Sequence, residues 1–69
     1  MPRPLPGPWR AEKGSFGYVV RDANGQILAY IPSRLTEVEA VEAEVLTDIE
    51  ARIIASAIVH LRELFERRQ

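Results

Sequence analysis

At 69 residues with no cysteine, the chain is the length of one small domain, and its stability must come from packing or from partners, because no disulfide or thiolate metal site is open to it. The formal net charge of -1 hides a strong segregation: residues 1–34 carry five basic against two acidic side chains, residues 35–50 carry six acidic and no basic ones, and residues 51–69 carry four basic against two acidic. That balance argues against a dedicated nucleic-acid binder, which needs a clustered basic face, and makes nucleic acid an unlikely partner.

The N-terminal MPRPLPGPWR lacks the apolar run of a signal peptide, and no stretch approaches the ~18 apolar residues of a membrane span, so the sequence predicts a soluble, cytoplasmic protein with no membrane partner. Pro2, Pro4, Pro6 and Pro8 predict an extended, poorly ordered arm over residues 1–8, with a single small α+β domain over 9–69. An SH3 ligand needs prolines three apart, and no pair has that spacing.

Residues 9–13 alternate as a strand, and Gly14-Ser15 suits a tight turn that would set Trp9 opposite Val20 and Ala11 opposite Tyr18. The stretch VVRDANGQILAY then reads as a hairpin. Asp22 at the first position of a type I turn and Gly25 where a left-handed residue must follow predict a G1 bulge, pairing Asp22 with Gln26, Val20 with Leu28 and Tyr18 with Tyr30. A two-residue Asn-Gly loop would instead oppose Val20 to Ala29. The expected architecture is a three-stranded antiparallel meander followed by one short and one long C-terminal helix. Its expected core is Trp9, Phe16, Tyr18, Val20, Leu28 and Tyr30 from the sheet with Ile53 and Leu61 from the helix. The opposite sheet face, with Val19, Ile27, Ala29 and Ile31, is more apolar than a water-facing surface needs.

Thr36-Glu37-Val38-Glu39 and Thr47-Asp48-Ile49-Glu50 are both capping-box patterns, each opening a helix. In the second, about 48–67, Ile49, Ile53, Ile54, Ala57, Ile58, Leu61, Leu64 and Phe65 cover an arc of roughly 200°, more than one sheet can hide. The first is ambiguous: Val38, Val41 and Val45 make a narrow stripe and residues 41–45 alternate as a strand would, but Ala and Glu content and the cap favour helix over 36–46.

The segments PGPW, VVRDANGQILAY and LTDIEARIIASAI resemble a group of short uncharacterised bacterial proteins, some of them prophage-associated. The resemblance covers under two-thirds of the chain and implies a strand meander followed by a helix, without an activity. Residues 32–45, PSRLTEVEAVEAEV, depart from that group, where a charged loop or strand is expected.

Nothing in the sequence assembles a catalytic set. His60 is the sole histidine, at the margin of the apolar arc with Ser56 one turn earlier, and it reads as a packed or half-exposed side chain. One His with Glu63 nearby is too thin a ligand set for a metal. Glu37, Glu39, Glu42 and Glu44 read as a solvated helix face, and Gly14, Gly17 and Gly25 fit no nucleotide-cradling pattern. No enzyme and no cofactor is expected. Two function classes remain. One is a small interaction module forming a homodimer, or meeting another protein partner, with Ile54, Ile58 and Phe65 at its interface. The other is a DNA-linked regulator of the antitoxin kind, because a hairpin followed by a Thr-capped helix resembles HicB-like domains.

Overall fold

In the computed structural model, residues 5–67 are described, with side chains to Leu64. Strands β1 (Arg10–Lys13), β2 (Gly17–Arg21) and β3 (Ile27–Arg34) form the antiparallel meander, then helix α1 (Glu37–Ala43), strand β4 (Leu46–Thr47) and helix α2 (Asp48–Arg67) follow. The sheet is mixed, in the order β1-β2-β3-β4, because β4 returns parallel to β3 with Ser33 opposite Leu46 and Arg34 opposite Thr47. The fourth strand corrects the three-stranded expectation; two residues long, it is too short to show a period of its own.

The predicted capping box forms in full at Thr47 and in part at Thr36, where the Glu39 carboxylate accepts the Thr36 hydroxyl rather than its amide. Thr36 Oγ1 accepts the Glu39 amide at 3.2 Å, and Thr47 Oγ1 accepts the Glu50 amide while Glu50 Oε1 accepts the Thr47 amide at 2.9 Å. α1 stops at Glu44, which takes the left-handed conformation at φ 57° and lets the Val45 amide reach back to the Ala40 carbonyl at 2.9 Å. That reversal delivers Leu46 and Thr47 to the sheet edge. The start of α2 is clamped there by Asp48, whose carboxylate accepts the hydroxyl of buried Ser33 at 2.6 Å and pairs with Lys13 of β1 at 3.0 Å.

The turn at Asp22 forms as expected: Gly25 is left-handed at φ 84°, its amide donates to the Asp22 carbonyl, and Asp22 and Gln26 are bonded at 3.0 Å. Asp22 is buried, and its Oδ1 also accepts the amides of Asn24 and Gln26, each at 2.9 Å. The register beyond it does not continue. Arg21 faces Ile27, but Val20 faces Ala29 and Tyr18 faces Ile31, which leaves Leu28 as an extra residue in a second bulge. A one-residue slip exchanges the faces of a strand. Ile31 therefore enters the core and Tyr30, expected there, is 55% exposed, its hydroxyl donating to the Phe16 carbonyl.

Phe16 is also displaced from its expected place. The β1–β2 turn is Ser15-Phe16, closed by the Gly14 amide on the Gly17 carbonyl at 2.7 Å, so β1 pairs two residues further along than predicted, with Ala11 opposite Val20 and Lys13 opposite Tyr18. An even shift preserves the face of β1, but it moves Phe16 into the turn, exposed, with the Arg34 guanidinium 5.0 Å from its ring. At Gly17 the chains come so close that a Cβ would collide with the Ile31 carbonyl oxygen.

The core is Val20, Ile31, Ala51 and Ala55, with Trp9, Tyr18, Leu28, Ala29, Leu46, Ile58 and Val59 half-buried around it. Trp9, Tyr18, Val20 and Leu28 thus pack where expected. Preceding Trp9, the Leu5 carbonyl accepts the indole N–H at 3.1 Å and the Pro6 carbonyl accepts the Ala23 amide at 2.9 Å, so this part of the proline segment is tied to the hairpin.

Candidate interaction surface

α2 lies on the sheet with the opposite face from the one its large side chains suggest. Ala51 and Ala55 are fully buried, and Ile58 and Val59 continue the same side. A face of two alanines lets the helix axis approach the sheet closely, and the spacing of 51, 55 and 58 or 59 is one helical stripe. Ile53, expected in the core, is 60% exposed and Leu61 is 47% exposed, because they sit on the far side of that contact. The outer stripe is Ile49, Ile53, Ala57, Leu61 and Leu64, all exposed.

Of the residues expected at a dimer interface, Ile54 is exposed at the edge of this stripe, Ile58 turns inward onto the core, and Phe65 lies outside the described side chains. The centre of the outward surface is thus Ile53, Ala57 and Leu61. The sequence expectation sets Ile53 and Leu61 against the sheet and leaves Ile54, Ile58 and Phe65 for a partner. The alanine spacing at 51 and 55 was the signal that could have shown the real packing face.

The outer stripe runs into a groove between α1 and the start of α2. Leu35, Val41, Val45 and Ile49 line it with buried Ala40, together with Glu37, Thr47 and Glu50, around about 530 Å³. Val38 and Val41 extend apolar surface along α1, both more than two-thirds exposed.

The outer face of the sheet is different. Val19, Ile27 and Tyr30 share it with Arg10, Glu12 and Arg21, and Glu12 takes both guanidinium groups at 2.8 Å. The Arg10 and then the Arg21 hydrogen bonds hold the Glu12 carboxyl below its usual range. Likewise the Ser33 hydroxyl and the Lys13 ammonium hold Asp48 below its usual range. His60 is exposed, its Nδ1 3.8 Å from a Glu63 carboxylate oxygen, and Ser56 is exposed. Among the described residues no group of three or more His, Asp or Glu is arranged to hold a metal, and no helix is long and apolar enough to cross a membrane. No known protein family, no curated protein and no solved structure matches the chain.

Proposed function

We propose that this chain is a small non-catalytic, cytoplasmic interaction module that acts as a homodimer, with the outer stripe of α2 as its interface. The observation that carries this reading is the phase of α2: Ala51 and Ala55 meet the sheet with Ile58 and Val59 beside them, while Ile49, Ile53, Leu61 and Leu64 face water. Leaving Ile49, Ile53, Leu61 and Leu64 in solvent forgoes roughly 1.5–3 kcal/mol for each side chain that a partner could fully bury.

Leu61→Glu tests the reading, because it places a charge in the interface without touching the core. The wild type should melt at a temperature that rises with protein concentration, and Leu61→Glu at one that does not. The DNA-linked regulator gains less support: Arg10 and Arg21 are engaged by Glu12 and Lys13 by Asp48, which lowers the charge available to phosphates.

A further inference from the structure

The hairpin turn carries a chemistry that association through α2 does not use. Asn24 is the only asparagine of the chain, it is exposed, and a glycine follows it. We propose that Asn24-Gly25 is a site of self-modification, at which the asparagine converts to aspartate and isoaspartate, and that Asp22 holds the reaction in check by fixing the turn.

The conversion needs only water. The Gly25 amide loses its proton to solvent base and its nitrogen attacks Asn24 Cγ; the N–Cγ bond forms, the Cγ–Nδ2 bond breaks, and ammonia leaves. A five-membered succinimide results. Water then opens the ring: attack at Cγ gives aspartate, and attack at the main-chain carbonyl of residue 24 gives isoaspartate, with the backbone running through Cβ and Cγ. Glycine suits this step because it has no side chain to crowd the attacking nitrogen, and even a Cβ at Gly25 would meet nothing within 4 Å.

The folded turn works against the step in two ways. The Gly25 N–H donates to the Asp22 carbonyl at 3.1 Å, which opposes loss of its proton. Asn24 is the third residue of a type I turn, where ψ lies at about 0°, and that angle points the Gly25 nitrogen away from the Asn24 side chain. Asp22 keeps this geometry: it is buried, and its Oδ1 accepts the amides of Asn24 and Gln26, each at 2.9 Å. Isoaspartate would add a backbone carbon to the turn and a free carboxylate beside Asp22. The Ala23 amide, which donates to the Pro6 carbonyl at 2.9 Å, lies in the same turn. Modification therefore loosens, in one direction only, the tie between the hairpin and the proline segment.

The full chain is incubated in mildly alkaline buffer, folded and in guanidinium chloride, and followed by intact mass and peptide mapping, with Asn24→Gln as the control. Unfolded protein should deamidate at residue 24, mostly to isoaspartate, and folded protein should do so more slowly by roughly tenfold or more. Asp22→Ala, shown to be folded by circular dichroism, should close much of that gap, and the purified isoaspartyl product should melt below its parent. No conversion of residue 24 in the unfolded chain overturns the site. Equal rates in folded and unfolded wild type overturn the protection, whether or not Asp22→Ala folds, and a folded Asp22→Ala that reacts no faster removes Asp22 from it. An unchanged melting temperature of the product overturns the loosening of the turn. None of these outcomes depends on whether the chain dimerises.

Discussion

Val20 and Ala29 face each other across β2 and β3, although the hairpin turn pairs Arg21 with Ile27 only one position away. Leu28 is the residue without a partner, and the bulge it makes decides which half of β3 reaches the core. Two devices share this hairpin, the left-handed Gly25 and the bulge. A Cβ at Gly25 would meet nothing within 4 Å, so Gly25→Ala should cost only the strain of its backbone, about 1 kcal/mol, while Gln26→Ala costs little. Urea unfolding measures both. Cross-strand NOEs should link Val20 to Ala29; a Val20–Leu28 pairing in their place would remove the bulge.

Glu44 holds the left-handed position that ends α1, a conformation glycine adopts without steric penalty. Glu44→Gly should therefore stabilise the protein by about 0.5–1 kcal/mol, the relief of strain outweighing the added freedom of the unfolded chain. A loss of stability would mean that the Glu44 side chain contributes more than its backbone costs.

The two faces of α2 should respond oppositely to substitution. Ala55→Leu forces three carbons into a closed contact with the sheet and should destabilise the protein by about 1–3 kcal/mol at every concentration. Leu61→Ala should have little effect on the isolated chain and act through association alone. Equal losses at both positions in dilute protein would place Leu61 in the core after all.

Asp48 gives the stability a pH dependence of known sign. Its carboxyl is held below the usual value by Ser33 and Lys13, so its contribution is complete above about pH 4, near the unfolded value, and disappears as pH falls through the lower folded value. Asp48→Asn should flatten that acid limb, leaving the part due to Glu12 and the other carboxylates. Urea midpoints between about pH 5 and pH 2.5 compare the two proteins; parallel curves would remove Asp48 from the account.

The helix caps, the turn at Asp22 and the α+β class were legible because each is set by a few neighbouring residues: Thr36 with Glu39, Thr47 with Glu50, Asp22 with Gly25. Register was not, because a bulge at Leu28 and a turn moved to Ser15-Phe16 are decided by how β3 and α2 pack, and each changes the fate of Tyr30 or Phe16. The same holds for the interaction surface. Periodicity showed that α2 has more apolar surface than a sheet can cover, but which side meets the sheet depends on how closely the backbones approach, and Ala51 and Ala55 allow the closer contact. Of the proposed interface residues, Ile54 is found exposed and Ile58 is not.

Self-association through the outer face of α2 is the central claim, and sedimentation equilibrium of the full chain from micromolar to millimolar concentration measures it without a probe. The account predicts a reversible monomer–dimer equilibrium shifted towards monomer by Leu61→Glu. A folded monomer across the whole range, unchanged by that substitution, would contradict it.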